Sequence, residues 1–258
     1  MLARHTTSSI EAIGAAALCI AWLMAGSAPV TSATIDDDDK SIAASLAAML
    51  AAARTVVSRN QERINDPTIA DKGLTGKVVL DQAVKIYQEA TNSDPLKVNK
   101  STRHGRLLHI QMDAIVEVVD SNRKTINQPG VGFKGFIPAT FGRLVNETFG
   151  RSAVNDAEMK GTAPLDLVRN RKARPDEWET EVIRDKLLAP DWPKGQLFAA
   201  VAKSKGRDAF RVAVPEYYAA SCLSCHGGPK GQIDITGYPK EGAKEGDLGG
   251  VMSITLYR

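Results

Sequence analysis

Apolar positions in the first half of the chain recur at intervals of three and four residues, the spacing of one helix face. Ile42, Leu46, Met49, Leu50, Ala53 and Val57 predict a helix over residues 41–62 in an alanine-rich stretch, stopped by the Asn65-Asp66-Pro67 turn. Val78, Val79, Ala83, Ile86 and Tyr87 predict a second over 75–91, ended by Asn92-Ser93-Asp94-Pro95. Leu107, Leu108, Ile110, Met112, Ile115, Val118 and Val119 carry a third over 101–124. After the Gln128-Pro129-Gly130 break the pattern changes. Gly132 to Pro138 reads as a turn leading into a short helix over 139–149. Pro175-Asp176-Glu177-Trp178-Glu179 places proline at a first helical position with acids in the first turn, so a helix is expected to run from there to about residue 188. Strand-like pieces fall at 163–168, 196–202, 209–214 and 250–257. Helices first and short strands later, without regular alternation, predict an α+β fold with an antiparallel sheet.

The N-terminus has a separate character. Arg4 and His5 precede an apolar, alanine-rich run over 13–30, and Thr31-Ser32-Ala33 supplies small residues suited to signal-peptidase cleavage. Residues 1–33 are therefore expected to be a secretory signal, the protein periplasmic, and membrane attachment to arise only if the segment is not cleaved. Cys19 lies inside that run and leaves with it. Asp36 to Asp39, followed by Lys40, reads as a solvated spacer at the new N-terminus. A helical region over 34–100 and a second domain over 101–258 are expected to follow.

Composition narrows the class of partner. With 43% hydrophobic and 24% charged residues, the chain is ordinary for a globular protein long enough to bury a sizeable core. A formal charge of +3, with aromatics at 5% and no basic stripe interleaved with aromatics, argues against nucleic acid.

The chemistry concentrates in Cys222-Leu223-Ser224-Cys225-His226. Two thiols three residues apart can form thioethers to the two vinyl groups on one porphyrin edge, and the adjacent imidazole can then meet the iron. Cys222 and Cys225 are the expected anchors of one covalent haem c, with His226 as proximal ligand. The competing readings are a thioredoxin-like redox pair, half of a zinc site, or a buried disulfide. A structural zinc site wants two more ligands at short spacing, yet the other cysteine is Cys19 and the other histidines are His5, His104 and His109. A redox motif wants a helix starting at the first cysteine, whereas Gly227-Gly228-Pro229 follows directly. Export and this motif support each other, because this kind of haem attachment takes place outside the cytoplasm.

Four motifs in order resemble the PAS-like c-type haem domains, found as free-standing exported proteins and as the sensory part of chemoreceptors and sensor kinases. They are Gly132-Phe133-Lys134-Gly135-Phe136-Ile137-Pro138-Ala139; Arg169-Asn170 leading to Pro175-Asp176-Glu177-Trp178-Glu179; the cysteine motif with Gly227; and Lys244-Glu245-Gly246-Asp247-Leu248-Gly249-Gly250 with Ser253. The resemblance spans roughly residues 102–253 and implies a PAS-like antiparallel sheet flanked by N-terminal helices, with haem in a pocket beside it. Arg171-Lys172-Ala173-Arg174 departs from the family's usual Arg-Asn-Pro-x-Asn run and puts the geometry of that loop in question. A second departure concerns the distal ligand: some members use a cysteine from the helical region, which is excluded here once Cys19 is gone. Met112 and His109 are the candidates, then His104, Met49, Met159 and Met252, beside water or an open position. Met112 shares a face with Leu108, Ile115 and Val119 and so also reads as core packing.

Further candidates surround the motif. Arg169, Arg171, Lys172 and Arg174 form a basic cluster able to pair with haem propionates or simply to face solvent. Tyr217 and Tyr218 could wall the haem edge, and Gly227 and Gly228 would let backbone pass close under the porphyrin. The leading expectation is a protein that senses redox state or a small ligand through a signalling partner in the periplasm, not an enzyme. A soluble electron carrier with a redox partner is the alternative. A haem peroxidase ranks last, since it needs an open iron and a distal acid/base pair for which only His104 with Arg103 or Arg106 is at hand. The N-terminal helices could also pack between two copies as a homodimer.

Overall fold

The computed structural model of the protein describes residues 37–258. The expected signal over 1–33, with Cys19, lies outside the described residues. Helix α1, Asp37–Arg59, begins four residues before the periodic apolar pattern because Asp37, Asp38 and Asp39 occupy its first turn, where the helix dipole favours negative charge. The reading of this acidic run as a spacer is corrected at Asp39. Its carboxylate is buried and accepts from Arg103 and Arg258, both at 3.1 Å. A short α2, Gln61–Asn65, follows the one-residue step at Asn60.

Helix α3 is Gly76–Thr91, with the Thr75 hydroxyl capping Val78 N at 3.2 Å; α4 is Arg103–Ser121, with Thr102 capping Gly105 N at 3.0 Å. A turn-long α5, Arg123–Ile126, leads to the Gly132–Ala139 motif, whose structural task is now visible. Gly135 sits at φ 69, a left-handed conformation that favours glycine; Lys134 folds back to donate to the Val131 carbonyl at 2.6 Å; Phe136 packs edge-on to Phe141 at 5.9 Å; and Pro138 opens α6, Pro138–Ser152.

Four strands form one antiparallel sheet in the order β1-β4-β3-β2: β1 Ala157–Thr162, β2 Phe198–Ser204, β3 Arg207–Tyr217 and β4 Leu248–Tyr257. Three of the expected strands are found with shifted ends, but the one expected at 163–168 is not a strand. Pro164 lacks an N–H to give to the ladder, and the chain there makes a turn with Leu167 N donating to Pro164 O at 2.9 Å. The true strand, β1, escaped notice because Glu158, Lys160 and Gly161 dilute its apolar positions. Pro215 is tolerated inside central β3 because β2 pairs only as far as Ala213.

Alternation divides the two faces of the sheet. Phe210 and Val212 of β3, with Met252, Ile254 and Leu256 of β4, join α1, α3, α4 and α6 in one large apolar cluster, so the regions expected at 34–100 and 101–258 share a core. On the opposite face Ala213 and Val251 pack with Val182, Ile183 and Leu187. These belong to α7, Glu177–Val182, and the π-helical turn Ile183–Leu187 that extends it. The expected helix over 175–188 is thus present, but Pro175 precedes it and is not its first helical residue: Asp176 is the cap, in a capping box with Glu179 at 2.8 and 2.9 Å. Helix α1 is long and apolar enough to span a membrane, yet half of its most apolar stretch is buried inside this domain, which accounts for its character.

The core makes a direct prediction. Phe210 is fully buried opposite Leu256, so Phe210→Ala is expected to cost about 3–5 kcal/mol. Urea unfolding should show a lower midpoint at unchanged slope.

Candidate functional site

Beyond Glu216 the β3 register slips, and the chain leaves the sheet as a long excursion that re-enters at Leu248, paired with Tyr217. The excursion is stitched closed at its root by Tyr218 N to Asp247 O at 2.9 Å and Gly246 N to Tyr218 O at 2.8 Å. Higher up, Ala243 N donates to His226 O at 2.9 Å and Gly242 N to Gly227 O at 3.2 Å. The cysteine motif therefore sits on one limb of a laced loop springing from the two central strands.

Cys222 ends a 3-10 turn over Ala220–Cys222, and Leu223–His226 form α8, one helical turn. Helical spacing puts residues three apart on one face, so Cys222 and Cys225 point the same way; both are free thiols and partly exposed. Gly227 terminates the turn, and a Cβ there would lie 2.6 Å from Leu223 O. Among the described residues no group of three or more His, Cys, Asp or Glu gathers as a metal site.

His226 is held from two sides. The Tyr218 ring stacks on the imidazole at 4.8 Å with 29° between planes, and its hydroxyl lies 3.3 Å from Nδ1. A Glu241 oxygen lies 2.9 Å from the same Nδ1. Burial works to raise the Glu241 pKa, but hydrogen bonds from Arg169 and His226 outweigh it and hold it below the ordinary carboxylate range. Glu241 is therefore an acceptor and His226 Nδ1 donates to it, which makes Nε2 the ring nitrogen left for another partner. No described hydrogen bond uses Nε2. Burial first, and the Glu241 charge second, push the Tyr218 hydroxyl up to about 12, so it stays protonated beside the ring.

Arg169 organises the loop. Its guanidinium forks onto Glu241 at 2.7 and 3.0 Å, donates to Asp234 at 2.7 Å and to the Cys225 carbonyl at 3.0 Å, and stands 5.5 Å from the Tyr238 ring centre. The Asp234 side chain is fully shielded from solvent and also accepts from Thr236 N, Thr236 Oγ1 and Tyr238 N at 2.7, 2.6 and 3.2 Å, fixing the turn over 234–238. Arg169 is thus committed inside the protein, not open to haem propionates. Of the rest of the expected basic cluster, Lys172 reaches Glu147 at 3.0 Å, and Arg171 and Arg174 are exposed. The divergent loop itself is ordered by Asn170, whose side chain accepts from Lys172 N at 3.0 Å.

The distal candidates lie elsewhere. Met112 is buried in the main cluster, as are Met49, Met159 and Met252. His109 Nδ1 bonds Gly105 O at 2.8 Å and His104 Nε2 bonds Ser45 Oγ at 2.8 Å. Arg103, beside them, donates to Tyr257 O at 2.7 Å at the far end of β4. The cysteine loop joins β4 at Leu248, a strand's length away, about 30 Å at 3.3 Å per residue. No described contact joins His226 to Met112, His109 or His104.

Fold and site together define an α+β domain in which a four-stranded antiparallel sheet, backed by N-terminal helices, carries a Cys-x-x-Cys-His loop between its two central strands. A family model described as Tll0287-like matches residues 32–256, and the chain belongs to that family. No curated protein and no solved structure matches it.

Sequence reasoning missed Glu241 and Asp234. Both are acids in a glycine-rich stretch with no periodicity, and their importance depends on Arg169, which is remote in sequence. The one available signal was Arg169 itself, heading one of the ordered motifs.

Asp234 supplies a pH test. Burial opposes, but hydrogen bonds from Thr236 and Arg169 and the loop amides outweigh it, so its folded pKa is depressed. Its stabilising contribution is then full above the unfolded value of about 3.9 and is lost as pH falls below it toward the folded value. Thermal melts are expected to lose stability more shallowly below about pH 4 in Asp234→Asn than in the parent. At neutral pH this substitution should also speed amide exchange over 227–243.

Proposed function

We propose that the protein carries one haem c, bound through thioethers from Cys222 and Cys225 with His226 Nε2 on the iron, and that it works in the periplasm in redox or small-ligand sensing. The observation that carries this reading is the state of His226. With Nδ1–H committed to Glu241, the nitrogen that remains is the one an axial ligand must offer, and an orienting carboxylate behind a metal-binding histidine is a recurrent arrangement. The two thiols on one helical face fit the attachment chemistry, and both are reachable. The antiparallel sheet with terminal helices fits the PAS-like arrangement expected for such a domain.

When bound, the haem would supply an iron that cycles between two oxidation states and, with a position open, takes a small diatomic ligand. The chain's own part is to hold the imidazole plane between Tyr218 and Glu241 and to keep the motif anchored to the sheet. All four methionines in the described region are buried in the core, and His104 and His109 are bonded at the other end of the sheet. That placement favours an open or water-held distal position, and with it small-ligand sensing.

One observation favours electron transfer as the second reading. Ile233 and Ile235 are 63% and 64% exposed on the same loop as the motif, where a redox partner could dock.

Optical spectra of the haem-loaded protein, oxidised and reduced, with and without carbon monoxide, test the small-ligand reading. A reduced haem that binds carbon monoxide rapidly is expected. A low-spin spectrum untouched by carbon monoxide would overturn the small-ligand reading and leave redox sensing or electron transfer. His226→Ala should change the axial coordination even where haem remains attached, and an unchanged spectrum would remove His226 as the proximal ligand.

A further inference from the structure

We infer that Glu241 is a positioning residue that sets the reduction potential of the bound iron through His226, with Arg169 and Asp234 fixing how much negative charge it delivers. The inference rests on the haem reading above and goes further, because it assigns the oxidation state the site favours.

The geometry is specific. One carboxylate oxygen of Glu241 faces Nδ1 of His226 at 2.9 Å and Arg169 at 3.0 Å, while the other faces Arg169 Nε at 2.7 Å. Arg169 holds Asp234 at 2.7 Å on its other side, so one guanidinium braces both acids. Glu241 and Asp234 each carry one negative charge against one positive charge on Arg169, so the relay is net negative and half-buried behind the imidazole. A carboxylate that accepts Nδ1–H pulls the proton toward itself and makes the ring a stronger donor at Nε2. A stronger donor and a nearby negative charge both stabilise ferric over ferrous iron, so the relay lowers the potential. Neither effect requires contact between Glu241 and the haem. Tyr218 adds orientation without charge, since it remains protonated.

The motif's neighbours explain why this carboxylate can reach. Ala243 N donates to His226 O at 2.9 Å, which brings the limb after residue 240 alongside α8 and sets Glu241 opposite the ring. Arg169 also donates to the Cys225 carbonyl at 3.0 Å, so the same guanidinium holds both the ligand-bearing turn and the acid that modifies it.

The test uses the full protein with haem attached, compared by spectroelectrochemical titration. Glu241→Gln preserves an acceptor for Nδ1–H and removes the charge. Its ferrous-to-ferric ratio at any fixed potential is expected to rise at least tenfold, an upward shift of about 59 mV for one electron. Glu241→Asp, which restores the charge, should return much of the shift. Asp234→Asn keeps both Glu241 and His226 unsubstituted and makes the relay neutral, so it should move the potential in the same direction even if Glu241→Gln loads poorly. Haem staining on a denaturing gel accompanies each titration. A parent protein without covalent haem would overturn the haem reading. Loaded Glu241→Gln or Asp234→Asn proteins with the parent's potential would overturn this inference while leaving that reading intact.

Discussion

The Arg169 guanidinium is the constraint on which the functional region depends. It is a single planar cation that satisfies the buried Asp234, the half-buried Glu241 and a backbone carbonyl from the cysteine turn. A loop of this length, rich in glycine and poor in apolar contacts, could not order itself through burial alone. Charge-assisted hydrogen bonds take that role, and they do so asymmetrically: the cation is fully used, while the acids retain enough negative charge to act on His226. Breaking such a pair by removing one partner leaves the other charge buried and unpaired, which costs more than the pair contributes.

The remainder of the fold serves as a frame. The excursion springs from the two central strands, so its root inherits the rigidity of the sheet. One face of that sheet shares a single buried core with α1, α3, α4 and α6, and the other is partly covered by α7 and its π-helical turn. A buried network ties α7 to the strands: Arg211 reaches Asp176 at 2.7 Å and lies 4.3 Å over the Trp178 ring, and Lys160 reaches Glu179 at 2.6 Å. At the opposite end Arg103 joins Asp39 of α1 to Asp156 and to the last strand. The two ends of the sheet thus have different work, one holding the N-terminal helix in place and the other presenting the motif.

Much of this was legible from periodicity. The long helices and the last strand follow regular apolar spacing, because each buries one face against the same core. The edge strand β1 was not, since a strand with one free edge tolerates Lys160 and Gly161, and the run beside it looked more apolar while holding Pro164. Asp39 was read as solvated because an acidic run gives no hint that two arginines from distant positions will meet one of its members. At the site, the two cysteines and His226 were plain from spacing, because the chemistry they suggest is local in sequence. Glu241 and Asp234 were not, because their meaning arises from Arg169 and from a laced loop that no local pattern announces. The distal side fared worst. Helical phase correctly placed Met112 on an apolar face, but whether that face meets the cysteine loop or the core is a question of tertiary placement, and the core holds it.

The measurement that bears most directly on the central claim is the intact mass, under denaturing conditions, of the chain exported from cells that mature c-type haem. The account predicts a chain shortened by its signal segment and heavier by one haem, with the added mass lost in the Cys222→Ala/Cys225→Ala double variant. A wild-type chain of bare polypeptide mass, from cells that load other c-type proteins, would contradict it.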